Sequence, residues 1–277
     1  STVILLLKKI LMIKKFTQST SSGASLFITR WLLAFVLPLL VSQAALAQLN
    51  YVATACNDPY VQAQGQAGTT LIGTGDDVQF TVNLPFTYTL YTTSFTQIRV
   101  STNGFVVFQP GTDRGLGNGA LPTATAGAAL YPFWDDLQTV GANANSGVYQ
   151  RVDGVAPNRI FTLEWFQIGH FSAVSGQEIT FQVRLFENGN RIQYKYQDVI
   201  FGGGQAINDN GLSATVGLED VIGATPRPST TVGVNTASVT NGQCIEFVLP
   251  QACNPIAGPT LNLNSTIGIC AANAVVS

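Results

Sequence analysis

The clearest structural pattern in the chain lies in its second half. Residues 179–187 read ITFQVRLFE, Asn188-Gly189-Asn190 follows, and residues 191–196 read RIQYKY. Apolar and polar side chains alternate in the first run, which is the period of a strand with one buried face. The apolar set is Phe181, Val183 and Leu185, and the opposite set is Gln182, Arg184 and Phe186. Two such runs joined by a short Gly-containing link predict a β-hairpin.

The same pattern recurs between residues 51 and 249. Asn103-Gly104 separates two apolar runs and predicts a second hairpin. Residues 159–166, RIFTLEWF, indicate another strand, and no long segment has a helical period. We therefore predict an all-β fold, an antiparallel β-sandwich with long loops. Residues 111–129 and 201–211 have compositions typical of loops, and the composition of residues 223–242 is typical of an extended edge or a loop.

Composition excludes several classes of protein. The 277 residues are 46% hydrophobic and 10% charged, so an intrinsically disordered chain is excluded. A helical bundle would be richer in Ala, Glu, Lys and Leu, and collagen would have Gly at every third position. Nucleic-acid binding is disfavoured because the sequence contains no basic patch to contact phosphates.

The first 47 residues have the three parts of a secretory signal peptide. Basic side chains precede an apolar core at residues 31–41, and Ala45-Leu46-Ala47 is a small-x-small cleavage site. The core is too short to span a bilayer, which needs about 20 residues. We expect cleavage after Ala47, with Met12 as a candidate true start, and no membrane span in the remaining chain. The alternative is a signal anchor that is never cleaved.

Cleavage divides the chain into three parts and changes its charge. Residues 1–47 are the signal peptide, 48–250 the β-sandwich domain, and 251–277 the start of a further Cys-containing module or a truncated tail. Eight basic and fifteen acidic side chains remain after residue 47, a net charge near −7. An acidic chain of this kind is not expected to bind nucleic acid or anionic lipid.

All four cysteines follow the signal peptide. An even number in an oxidising compartment predicts two disulfides. Of the three possible pairings we favour Cys56 with Cys244, which joins the ends of the domain, and Cys253 with Cys270, which closes a short loop. A structural zinc site is the alternative, but the spacings do not match the close Cys pairs with His that zinc uses.

Adjacent Asp135 and Asp136 are the candidate metal ligands. At a strand end or turn they could hold calcium, which binds carboxylate and carbonyl oxygens. The alternative is that one of them caps a turn or pairs with an Arg. A glycosidase would need a second carboxyl across the substrate bond, and Glu164 could supply it only if the fold brought it near.

Histidine and aromatic residues offer two further hypotheses. A Ser-His-Asp triad would have to use His170, the only histidine, but no G-x-S-x-G motif accompanies it. We expect this side chain to be exposed in a loop. Six aromatic residues could form a sugar-binding platform or fill the core, and these are Tyr131, Trp134, Tyr149, Trp165, Tyr194 and Tyr196.

Six short motifs in order carry a resemblance to a known family. They are VSTNGF (100–105), LYPFWDDL (130–137), GVYQR (147–151), FTLEW (161–165), FQVRLF (181–186) and ATVGLE (214–219). Together they resemble the nidogen-like (NIDO) extracellular domain in its bacterial secreted form, over residues 95–220. The family is associated with extracellular matrix and cell–matrix adhesion and has no established catalytic residues. We associate Trp134-Asp135-Asp136 with its bacterial members.

The resemblance implies a secreted or cell-surface module that is not an enzyme. We expect it to act in cell–matrix or cell-surface adhesion as part of a larger protein, without a cofactor other than possible calcium. Its expected partners are an extracellular matrix protein, a surface protein or a polysaccharide. The alternatives are a carbohydrate-binding module of a secreted enzyme and a glycosidase-like hydrolase.

Overall fold

The computed structural model describes residues 50–108, 115–124, 127–141, 143–221 and 228–250. The predicted signal peptide and the residues after 250, with the predicted Cys253–Cys270 pair, lie outside the described residues. No helix in the described ranges has the length and apolar character needed to cross a membrane.

Fourteen strands form in the described part of the chain. In chain order they are β1 (Val52–Ala55), β2 (Thr70–Gly73), β3 (Gln79–Leu90), β4 (Thr93–Ser101), β5 (Phe105–Val107), β6 (Ala129–Trp134), β7 (Leu137–Thr139), β8 (Gly147–Asp153), β9 (Ile160–His170), β10 (Glu178–Phe186), β11 (Arg191–Asp198), β12 (Thr215–Glu219), β13 (Ser229–Val234) and β14 (Cys244–Val248).

The strands form two antiparallel sheets. Sheet A has the order β1-β14-β11-β10-β9-β8-β2, with β7 also paired to β9. Sheet B has the order β13-β12-β6-β5-β4-β3. The two sheets enclose one continuous apolar core, and the predicted all-β sandwich is confirmed.

Both predicted hairpins are present. In the β10–β11 hairpin, Val183 lies opposite Tyr194, and both side chains are completely buried. The Asn103-Gly104 turn joins β4 to β5, where Val100 lies opposite Val106. The alternation in the sequence was sufficient here because each strand pairs with its neighbour along the chain and turns one set of alternate side chains to the core.

Aromatic side chains join the two sheets in the core. The ring of Phe181 stacks on Trp165 of sheet A at 5.1 Å and on Phe133 of sheet B at 5.6 Å between centroids. Burial of these large rings supplies much of the apolar contact between the layers.

Polar atoms on buried aromatic residues also bond across the core. Tyr194 Oη donates to the carbonyl of Gly217 at 2.7 Å, and Tyr196 Oη donates to the carbonyl of Pro132 at 2.7 Å. Trp165 Nε1 donates to the carbonyl of Ser101 at 2.8 Å. Each donor is on sheet A and each acceptor is in or beside sheet B, so these bonds satisfy buried groups and set the relative position of the sheets.

Residues 57–69, called the strap here, cross the outer face of sheet A. Near the start of the strap, Lys195 Nζ on β11 donates to the carbonyl of Pro59. Further along, Gln182 Nε2 on β10 donates to the carbonyl of Val61 at 2.8 Å. The strap therefore covers part of a sheet face that strand alternation alone would assign to solvent.

Two predicted loop segments contain regular structure. The segment 201–211 holds a 3-10 stretch at Gly203–Gly211 that is kinked at Asp209 and Asn210, so the prediction of a plain loop was wrong. Within residues 223–242, β13 forms the edge of sheet B. An edge strand is one of the two structures predicted for that segment.

Candidate functional site

The predicted acidic pair lies between β6 and β7, at one end of the sandwich. Asp135 is 5% exposed, whereas Asp136 is half-buried. Asp135 Oδ1 accepts the backbone N–H of Asp136 at 3.0 Å, and Oδ2 accepts the hydroxyl of Ser213 at 2.6 Å. Both carboxylate oxygens of Asp135 are therefore used within the protein, in a turn-capping arrangement.

His170 ends β9 and lies beside Asp135. Its Nε2 atom is 3.5 Å from Asp135 Oδ1, and its ring packs edge-on against Phe201. The side chain is half-buried, so the prediction of an exposed histidine was wrong. Burial acts to lower the pKa of His170, but the hydrogen bond and negative charge of Asp135 outweigh it, and the pKa is raised above its usual value.

Asp136 lies instead with two acidic residues that precede β3. One carboxylate oxygen from each of Asp76, Asp77 and Asp136 lies within 4.8 Å of the others. Burial and the neighbouring charge of Asp77 raise the pKa of Asp76. Burial also raises the pKa of Asp136, where the charge of His170 opposes the shift and those of Asp77 and Asp76 add to it. We call these three residues the acidic trio.

Asn103 holds the acidic trio against the sandwich. Its Nδ2 atom donates to Asp77 Oδ1 at 2.7 Å, and its Oδ1 atom accepts the N–H of Leu137 at 2.9 Å. The next residue, Gly104, has φ +70°, and an added Cβ would lie 1.9 Å from the carbonyl oxygen of Phe133. The Asn-Gly pair that predicted a hairpin therefore also brings residues 77 and 137 to the same place.

The structure places the two predicted calcium ligands in different surroundings. Asp136 belongs to the acidic trio, whereas Asp135 faces Ser213 and His170. Sequence reasoning missed Asp76 and Asp77, although adjacent carboxylates after Gly75 were a visible signal. Three carboxylates fit calcium chemistry but supply only part of the six to eight oxygens that the ion takes.

Glu164 does not form a catalytic pair with Asp135. It is completely buried under the strap, where it accepts hydrogen bonds from Tyr60 Oη and the backbone N–H groups of Ala63 and Gln64 at 2.7, 2.9 and 2.6 Å. His170, which lies beside Asp135, is six positions further along β9, and six positions of a strand span about 20 Å. Glycosidase carboxyls lie within about 10 Å of each other.

Ser213, Asp135 and His170 are in contact but not in a catalytic order. The carboxylate of Asp135 lies between the hydroxyl of Ser213 and the imidazole of His170. In a hydrolase triad the imidazole lies between the other two groups and takes the hydroxyl proton. The order seen here orients side chains and does not activate the serine.

The six candidate aromatic residues do not form an exposed sugar platform. Five are buried, with 4% exposure at Trp134 and none at Tyr131, Trp165, Tyr194 and Tyr196. Tyr149 is half-buried and donates to the carbonyl of Asn145 at 2.8 Å. These residues serve the interior of the sandwich and its close surroundings.

The disulfide between Cys56 and Cys244 confirms the favoured pairing for these two residues. Their Cα atoms are 5.0 Å apart, and 188 positions separate them in the chain. The bond joins the residue after β1 to the start of β14 and anchors the strap. Such a cross-link is typical of proteins in oxidising compartments.

Fold and site together define a disulfide-linked β-sandwich in which the candidate catalytic side chains Glu164, Asp135 and His170 are bonded within the protein. The family model described as NIDO related matches residues 50–253. The chain therefore belongs to the NIDO-related family, as the six sequence motifs indicated. Among curated proteins and among solved structures, none matches the chain.

Proposed function

We propose that this chain is a secreted or cell-surface module that binds a partner in cell–matrix or cell-surface adhesion, as part of a larger protein. The observation that carries the proposal is the match to the NIDO-related family across the whole sandwich. Family membership points to an extracellular, non-catalytic, adhesion-type module. The disulfide between Cys56 and Cys244 supports the extracellular location.

The internal bonding of the site supports binding over catalysis. Glu164 is bonded to the strap, Asp135 is bonded within its turn and lies beside His170, and five of the six candidate aromatic side chains are buried. A surface that recognises a partner needs exposed groups on a rigid scaffold, and loops at the ends of a sandwich provide them. The exposed apolar side chains Phe171 and Val174 lie in the loop between β9 and β10, and exposed Ile207 lies in the 3-10 stretch Gly203–Gly211.

We also propose that the acidic trio binds calcium and thereby orders the end of the sandwich that carries it. Three carboxylate oxygens lie within 4.8 Å of one another, and repulsion between them would be relieved by a divalent cation. Asp136 is retained from the sequence prediction, and Asp76 and Asp77 replace Asp135 in the proposed ligand set.

The adhesion proposal is tested by immobilising residues 48–277 and measuring the binding of matrix proteins, surface proteins and polysaccharides with and without calcium. We expect saturable binding to at least one of them and no release of sugars from the polysaccharides. Turnover of any glycan would contradict the proposal and return the hydrolase alternative. Absence of binding in every arm would leave only a scaffold role.

A further inference from the structure

Positive charge is concentrated on one surface of this acidic protein. Of the six Lys and Arg residues in the described ranges, four lie on the outer face of sheet A, and these are Arg151, Arg184, Arg191 and Lys195. Strand alternation fixes this placement. Val183 and Tyr194 are buried in the core, and the next residues along their strands, Arg184 and Lys195, therefore face the opposite side of the sheet. The net charge of the chain does not reveal this clustering of basic side chains.

Two of these arginines lie in one row across three strands. Thr162 on β9 pairs with Arg151 on β8 and with Arg184 on β10. Residues two strands apart have Cα atoms about 10 Å from each other, so the two guanidinium groups flank the threonine. A cavity of about 230 Å³ lies between this row and the strap. We call it the strap pocket, and it is lined by Val61, Ala63, Arg151, Asp153, Thr162, Gln182 and Arg184.

The basic side chains differ in how well they are neutralised. Arg191 Nε lies 2.5 Å from Glu246 Oε1, and Arg151 Nη2 lies 2.6 Å from Asp153 Oδ1. Lys195 is buried and donates to the strap. These three cations therefore have partners of their own.

Arg184 differs from them, because no carboxylate among the described residues forms an ion pair with it. It donates to the amide oxygen of Gln193 at 3.3 Å and lies over the ring of Phe186, and no carboxylate of the described residues is within 4.0 Å of it. The side chain is half-buried. Burial lowers the pKa of the Arg184 guanidinium, the charge of Arg191 adds to the effect, and Asp58 and Asp153 oppose it. A partly desolvated cation that no carboxylate of the described residues contacts favours binding of an anion.

We propose that the strap pocket binds the carboxylate of a uronic acid residue in an acidic polysaccharide. Guanidinium groups bind carboxylates through paired, charge-assisted hydrogen bonds, and Arg184 is the residue available for them. The carboxylate of Asp153 can accept hydrogen bonds from ligand hydroxyl groups. It would repel any negative charge of the ligand beyond the carboxylate that binds Arg184, so the ligand must offer hydroxyl donors beside a single carboxylate. Val61 and Ala63 present apolar surface to a sugar ring.

This assignment rests on the proposed binding function and names the chemical class of its partner. It also goes beyond the sequence hypothesis of an aromatic platform, because the pocket uses charge and hydroxyl chemistry on the outer face of sheet A. Aromatic stacking on the six candidate rings plays no part in it.

The proposal is tested by calorimetric titration of residues 48–277. The two ligands are sodium glucuronate and an oligogalacturonate. We expect both to bind and glucose not to bind. Arg184→Gln should weaken both interactions by about tenfold or more, because a charge-assisted bond is lost, and Arg184→Lys should recover part of the affinity. Arg99→Gln on β4 of sheet B makes the same charge change away from the pocket and should bind as the wild type does.

Several outcomes would overturn the assignment. Equal binding of glucose, or unchanged affinity in a folded Arg184→Gln variant, would show that the carboxylate does not contact this pocket. Tighter binding of an N-acetyl-glutamyl peptide than of glucuronate would assign the pocket to an acidic protein. Thermal unfolding of each variant separates loss of the site from loss of the fold. If the wild type adheres to a matrix protein but binds no uronate, the pocket assignment fails and the adhesion proposal stands.

Discussion

The imidazole of His170 and the carboxylate of Asp135 are in contact at one end of the sandwich, with Nε2 3.5 Å from Oδ1. His170 ends β9 of sheet A, and Asp135 follows β6 of sheet B. The pair therefore links the two sheets beside the acidic trio. Its strength depends on whether the imidazole carries a proton.

This relationship predicts a pH-dependent contribution to stability. In the unfolded chain the pKa of histidine is about 6.5, and in the folded chain the pKa of His170 is raised by Asp135 in spite of burial. The stabilisation is then fully present below about pH 6.5 and is lost as the pH rises through the higher folded value. We expect wild type to exceed His170→Gln in free energy of unfolding at pH 5.5, and the difference to shrink by pH 8.5. Urea unfolding at both values measures it, and a constant difference would contradict the prediction.

A second prediction concerns calcium and the acidic trio. Because burial and mutual repulsion raise the pKa of both Asp76 and Asp136, replacing both by Asn should raise the melting temperature in EDTA. Calcium should stabilise the wild type, by about 2.7 kcal/mol when its concentration is a hundred times the dissociation constant, and should stabilise the double variant much less.

The matched control for this experiment is Asp198→Asn at the end of β11. The change has the same chemistry at a single position, Asp to Asn away from the acidic trio, and the new amide oxygen can still accept the N–H of Ile200. Thermal unfolding with calcium and with EDTA compares the three proteins. An identical calcium-induced shift in all of them would show that the acidic trio does not bind the ion.

Reduction of the disulfide should destabilise the domain. Loss of a native disulfide costs about 2–5 kcal/mol, and the bond from Cys56 to Cys244 closes a loop of nearly two hundred residues. Denaturant unfolding of the chain with and without reductant measures the loss. A paired Cys56→Ser and Cys244→Ser variant should lose most of the stability that reduction removes, and any remaining response to reductant is expected from Cys253 and Cys270. An unchanged unfolding midpoint after complete reduction would refute the prediction.

Glu164→Gln should loosen the strap. The carboxylate accepts three bonds from the strap and one from Gln182, and an amide presents its NH₂ group to some of these donors. We expect a loss of about 2–3 kcal/mol of stability, the scale of charged hydrogen bonds, and faster hydrogen exchange at Ala63 and Gln64. Glu178→Gln, outside the strap contacts, is the control. Normal exchange protection at both amides in Glu164→Gln would show that the carboxylate does not anchor the strap.

Much of the fold was predictable because its signals are local. The hairpin from 179 to 196 and the Asn103-Gly104 turn combine strand alternation with turn residues a few positions apart. The pairing of Cys56 with Cys244 followed from their positions at the two ends of the strand-rich region. The site was less predictable, since the acidic trio joins residues about sixty positions apart and His170 meets Asp135 through strands of different sheets.

The sequence by itself determined the strand periodicity, the core-facing side of the hairpins, and the family. These depend on each residue and its near neighbours, because alternation commits a whole strand to one face. Only the tertiary structure decided that the strap would bury Glu164 and that Arg151 and Arg184 would flank Thr162. The register between strands and the path of a long segment depend on how the core packs, and no local pattern encodes them.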